Sequence, residues 1–181
     1  MKLGKVVRGL VACATAVLVS FAGWGSPASA ATGWHMWNGN SQLCLRPAGG
    51  STATSAAVEQ AGCNANSLSQ WWEFLPTSNG YYRLRNAASG KCMNVRYAAQ
   101  TNGAQIVQYP CTASGTNDQF FPYYRYTSNG ADYYNLIARH SGKCLNVPRN
   151  STASGTDLIQ YTCTRTNTND VFSWVDTVIG G

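Results

Sequence analysis

Ser89-Gly90-Lys91-Cys92-Met93-Asn94-Val95 recurs 52 residues later as Ser141-Gly142-Lys143-Cys144-Leu145-Asn146-Val147, and a worn copy, Ser41-Gln42-Leu43-Cys44-Leu45-Arg46-Pro47, precedes the first by 48 residues. In each copy a second cysteine follows 19 positions after the first: Cys63, Cys111 and Cys163. Six cysteines permit fifteen pairings. Three equal intervals single out the pairing inside each copy: Cys44 with Cys63, Cys92 with Cys111 and Cys144 with Cys163. Each bridge closes a loop of the size for which chain entropy gives about 3 kcal/mol, so together they rival the net stability of a small domain. Such bridges persist in an oxidising, extracellular setting.

The repeat extends beyond the cysteines. Ten residues before each first cysteine stands an aromatic, Trp34, Tyr82 or Tyr134, and two residues on an apolar side chain, Met36, Leu84 or Leu136. Both positions suit one face of a strand. A short run ahead of each second cysteine puts a glutamine three positions before it, at Gln60, Gln108 and Gln160. After it come Gln70-Trp71-Trp72 and Gln119-Phe120-Phe121, and in the third copy Asp170-Val171-Phe172-Ser173-Trp174, where Val171 or Phe172 stands in place of the glutamine. Each period therefore holds about four short strands rich in Val, Ile, Tyr, Phe and Trp, separated by Gly, Ser, Asn and Thr. Trp34, Trp72, Phe121, Leu84 and Leu136 are expected in the core. No single unit can bury its apolar face alone, so three units close on one another with pseudo-threefold symmetry.

The N-terminus has a different character. Lys2, Lys5 and Arg8 precede an apolar stretch from Gly9 to Ala22 and a small-residue end, Ala28-Ser29-Ala30. That is the pattern of a secretory signal over residues 1–30, cut before Ala31. Leu10-Val11-Ala12-Cys13 resembles a lipoprotein box, but the apolar core lies after the cysteine, whereas acylation requires it before. No other segment reaches the roughly 20 apolar residues of a membrane span, so no membrane insertion is expected. Of 13 basic and seven acidic residues, three basic ones fall in the leader, leaving a net charge of +3 on residues 31–181. Two lysines and eight scattered arginines lack the basic footprint of a nucleic-acid binder.

The triple repeat, the Gly-Lys-Cys-aliphatic-Asn-Val strand, the cysteine interval and the Gln-x-Trp ending resemble the ricin B-chain-like lectins, also grouped as carbohydrate-binding module family 13. The resemblance covers Trp34 to Asp176. It implies an all-β fold, a β-trefoil of twelve short strands with three intra-repeat disulfides, with repeats at about residues 33–80, 81–132 and 133–181. It also implies a shallow sugar site in each repeat. The family builds that site from an acid two residues after the first cysteine, an aromatic two residues before the second, and an amide just before the Gln-x-Trp glutamine. These positions fall on Asn94, Tyr109 and Asp118, with Gln108 and Gln119 beside them, and on Asn146, Tyr161 and Asp170, with Gln160 nearby. The first repeat offers Arg46, Ala61 and Ser69, without ring or acid. Asn stands where the family has its acid and Asp where it has its amide, which reads as an exchange keeping one carboxylate and one amide per site.

The chemistry fits a sugar. A pyranose has a face of C–H groups and a rim of hydroxyls, matched by a flat ring plus fixed donors and acceptors. The same residues admit a structural reading: the tyrosines as core, Asn94 and Asn146 as turn formers, Asp118 and Asp170 as turn caps, and Gln70 and Gln119 as partners of buried backbone. Catalysis is not expected. His35 and His140 fall at different points of the repeat, Glu59 and Glu73 form no facing carboxylate pair, and no metal-ligand or cofactor spacing occurs. The expectation is a secreted lectin for polysaccharide or glycoconjugate glycans, with two sites. The alternative is a trefoil scaffold or protein-binding module whose sugar sites are lost.

Overall fold

The computed structural model describes residues 33–175. The segment read as a signal, Cys13 included, lies outside the described residues. Repeat one carries β1 (Trp34–Asn38), β2 (Cys44–Pro47), β3 (Val58–Ala61) and β4 (Trp71–Pro76), and repeat two carries β5 (Tyr82–Asn86), β6 (Cys92–Val95), β7 (Ile106–Tyr109) and β8 (Phe120–Ser128). Repeat three carries β9 (Ala131–Ala138), β10 (Cys144–Asn146), β11 (Thr156–Asp157), β12 (Ile159–Tyr161) and β13 (Phe172–Val175). β11 and β12 flank Leu158 and together stand where β3 and β7 stand in the other repeats, so thirteen segments follow a twelve-strand plan.

Antiparallel pairing closes a six-stranded barrel: β1 with β4, β4 with β5, β5 with β8, β8 with β9, β9 with β13, and β13 back to β1. The hairpins β2–β3, β6–β7 and β10–β12 each join the barrel through a bridge at Cys44, Cys92 or Cys144, and β3 also pairs with β11. Single bridges then join the hairpins to one another, Ala57 to Val107 and Gln105 to Ile159. This is the closed threefold arrangement that the repeat demands, and closure removes the exposed edges of an open sheet. The longer second period is visible as the extended β8–β9 hairpin.

The core repeats position by position. Met36, Leu84 and Leu136 share it with Leu45, Met93 and Leu145, with Val58, Ile106 and Leu158, and with Trp72, Phe120 and Phe172. Two expected core residues fall elsewhere. Phe121 is half-buried while Phe120 is 1% exposed, because Phe120 is the residue 48 after Trp72 and alternation turns its neighbour outward. Trp34 is also half-buried, gathered with Phe74, Tyr82, Tyr134 and Trp174 at one end of the barrel, with Phe74 5.5 Å from Trp34 and 4.8 Å from Trp174.

All three expected disulfides are present, each with Cα atoms 5.0 Å apart. The first cysteine of each pair is buried and anchors the hairpin to the core. A second threefold device is less obvious. Gln60, Gln108 and Gln160 are fully buried and tie neighbouring repeats together. Gln108 accepts from the Ser89 hydroxyl at 2.7 Å and donates to the Ser51 and Ala53 carbonyls, both at 2.8 Å, in the loop of the preceding repeat. Gln160 does the same with Ser141, Ala99 and Thr101, and Gln60 with Ser41, Ser151 and Ala153.

Candidate carbohydrate-binding site

Strand parity decides which hairpin side chains meet the solvent. Cys92 lies opposite Tyr109, Met93 opposite Gln108, Asn94 opposite Val107 and Val95 opposite Ile106. Met93, Val95, Ile106 and Gln108 turn inward and are fully buried, so alternation puts Asn94, Val107 and Tyr109 on the other face. The third repeat repeats the register, Cys144 opposite Tyr161 and Asn146 opposite Ile159. Tyr109 and Tyr161 are 44% and 45% exposed, which rules out the core reading of both rings.

Each ring lines a concavity together with its hairpin asparagine. In the second repeat it measures about 290 Å³ and holds Asn94, Tyr109, Asn117, Arg96 and Tyr97. In the third it measures about 850 Å³ and holds Asn146, Tyr161, Asn169, Arg149 and Asp157, with Gln105 reaching in from the second repeat. Gln105 donates to Asp157 at 2.8 Å.

The second polar arm is a correction to the sequence reading. Asp118 and Asp170 line neither concavity, whereas the residues one position earlier, Asn117 and Asn169, do. Asn117 Nδ2 donates to Asn94 Oδ1 and to the Val95 carbonyl, both at 2.9 Å. Asn169 Nδ2 donates to Asn146 Oδ1 at 3.2 Å and to the Val147 carbonyl at 2.7 Å. The backbone carbonyl fixes which way each amide points. Oδ1 of one asparagine and Nδ2 of the other are thereby left for a ligand, an acceptor and a donor side by side. Asn169 Oδ1 has no hydrogen-bond partner among the described residues and is itself buried, so a ligand reaches it only if the loop around it opens.

Asp118 and Asp170 have no exposed surface and fold back on their own loops. Asp118 Oδ2 accepts from the Thr112 N–H at 3.3 Å and from Arg83 Nε at 3.0 Å, and Asp170 Oδ2 from the Thr164 N–H at 2.9 Å and its hydroxyl at 3.1 Å. Gln70 does the same in the first repeat, accepting from the Asn64 N–H at 2.7 Å. Both aspartates thus occupy the position of the Gln-x-Trp glutamine, and the supposed exchange of acid and amide dissolves into a pair of amides. Gln119 is 5% exposed, donating to the Gly115 carbonyl at 2.6 Å and accepting from Arg139 at 2.7 Å. Gln108 and Gln160 are committed to the loops described above. None of these five residues lines either concavity. In the first repeat Arg46 Nε pairs with Glu59 at 2.9 Å where the other repeats hold an asparagine and an aliphatic residue.

The family model described as ricin-type β-trefoil lectin domain-like matches the chain three times, over residues 23–109, 68–161 and 116–178. The chain belongs to the ricin-type β-trefoil lectin family. Among solved structures, the designed threefold-symmetric protein ThreeFoil aligns with this lectin-family chain at a TM-score of 0.73 and 32% identity, over 81% of this chain and 99% of that one. An exo-β-1,3-galactanase from Clostridium thermocellum aligns at 0.71 and 28% identity, covering 80% of this chain and 30% of the enzyme. The Rhizoctonia solani agglutinin, 16% identical with a TM-score of 0.66 over 81% of this chain and 96% of its own, shares the fold. Among curated proteins no sequence match is found.

Proposed function

We propose that this ricin-type trefoil is a secreted carbohydrate-binding lectin that holds glycan or polysaccharide at two shallow sites, one in the second repeat and one in the third. The observation that carries the reading is the pair of solvent-facing rings, Tyr109 and Tyr161, each set beside a hydrogen-bonded asparagine pair in a concavity. Each ring receives the C–H face of a pyranose. The free acceptor and donor of the amide pair take two neighbouring hydroxyls. Asp118, Asp170 and the buried glutamines hold the loops that present these groups. Binding rather than catalysis is the role, and the three disulfides together with the leader pattern support an extracellular setting.

Open sites with one ring and one amide pair give weak affinity, roughly millimolar to tens of micromolar, or about 4 to 7 kcal/mol. Two of them on one molecule raise avidity toward a polymer by about 10² where the geometry lets both engage. Galactan is the first polymer to try, since a galactanase carries the 28% identical trefoil. Affinity electrophoresis through galactan, xylan and arabinan, with a glycan array alongside, tests the reading. Retardation by one polymer is expected. A uniformly blank result from protein with intact disulfides instead favours a protein-binding or scaffold trefoil.

A further inference from the structure

We propose that Tyr97 is a second stacking platform, so that the second-repeat site engages a chain of at least two sugars rather than one terminal residue. This rests on the reading of that concavity as a sugar site. After β6 the backbone makes a tight turn, Arg96–Ala98, in which two consecutive residues are left-handed: Tyr97 at φ +56° and Ala98 at φ +50°. The first repeat meets the same demand with Gly49 and Gly50, at φ +60° and +76°. Glycine takes this conformation without steric cost, whereas a bulky residue there is strained.

Packing does not explain the tyrosine, whose residue is 90% exposed. Its equivalent in the third repeat is Arg149, also exposed and left-handed at φ +54°, so the fold itself requires no ring at this place. Strained residues that packing does not require cluster where function retains them. Tyr97 also lines the concavity that holds Asn94, Tyr109 and Asn117. The Arg96 guanidinium lies 5.9 Å from the Tyr97 ring centroid and is itself tied to the Ser55 carbonyl at 3.0 Å, which limits the freedom of the ring before any ligand arrives. One pyranose occupies Tyr109 and the amide pair. The ring at the lip is then free for the next unit along the chain.

The test uses the full chain carrying Tyr161→Ala, which isolates the second site. Titration calorimetry compares galactose, xylose and arabinose with the β-1,3-galactotriose, xylotriose and arabinotriose, and the best-bound trimer is carried forward. Tyr97→Ala is expected to weaken that trimer about three- to tenfold and to leave its monomer unchanged. Tyr97→Gly is expected to weaken the trimer equally while raising Tm by about 2–4 °C, because glycine relieves the strained turn. Equal effects on monomer and trimer, no effect on either, or a fall in Tm for Tyr97→Gly overturns the proposal. Tyr109→Ala in the same background separates the two readings. If it abolishes binding while Tyr97→Ala changes nothing, only the second platform falls; if it leaves binding intact, the sugar site itself is wrong.

Discussion

Replacing Gln108 by alanine tests the division between residues that hold the trefoil together and residues that face the ligand. The side chain is fully buried and makes three hydrogen bonds: one from Ser89 of its own repeat and two to carbonyls in the loop of the first repeat. Each intramolecular hydrogen bond contributes about 0.5–1.5 kcal/mol net, and the orphaned Ser89 hydroxyl adds a desolvation cost. The two carbonyls belong to the half-buried Ser51 and the exposed Ala53 of a loop that can rearrange toward water, which keeps the sum near about 2–4 kcal/mol. For a domain of this size that lowers Tm by about 5–15 °C. Thermal unfolding by circular dichroism under non-reducing conditions measures the loss, and titration with the preferred oligosaccharide measures affinity, which is expected to change less than threefold. A variant of wild-type stability that no longer binds would refute the structural role and return Gln108 to the sugar site.

Asn117→Ala is expected to weaken the second site about five- to tenfold with little change in Tm, since it removes one ligand hydrogen bond and the support of Asn94. Asp118→Ala is expected to do the reverse, costing about 2–4 kcal/mol by stranding Arg83 and the Thr112 N–H while a folded sample binds normally. Calorimetry and denaturant midpoints on the same samples separate the two effects. Burial holds the His35 imidazole below its ordinary pKa of 6.5, with the backbone contact to Ala65 opposing the shift. The unfolded chain then binds more protons at this residue, so the stability tied to it is full above about pH 6.5 and lost as pH falls below. Wild type is therefore expected to lose stability relative to His35→Gln between pH 7 and pH 5. Parallel urea midpoints for the two proteins would contradict it.

Much of this architecture was legible from the cysteines. Equal intervals gave the pairing, and repetition gave closure, because a unit with one apolar face must find a partner. The rings were legible as candidates, but their direction came only with the hairpin register, which turns Gln108 inward and Tyr109 outward. The second polar arm was misread for a local reason. Gln119 imitates the Gln-x-Trp glutamine one residue late, and a one-residue slip in a strand exchanges the two faces. The signal that corrects it lies in the same sequence: the residues 48 and 100 positions after Gln70 are Asp118 and Asp170, and those 48 and 100 after Trp72 are Phe120 and Phe172. Applied to Ser69, the same periods find Asn117 and Asn169. The glutamine clamps were visible as a repeated residue, yet the carbonyls they bind lie in a different repeat, more than 50 positions away for Gln108, and no local pattern points there.

The most direct measurement pairs Tyr109→Ala with Tyr161→Ala and follows retention on the preferred polysaccharide together with Tm. Each single variant is expected to keep partial retention through its remaining site. The double variant is expected to lose retention entirely, with Tm within about 2 °C of wild type, because both rings lie on the exposed face of their hairpins, outside the core. Retention that survives in a folded double variant would contradict the assignment of both sites.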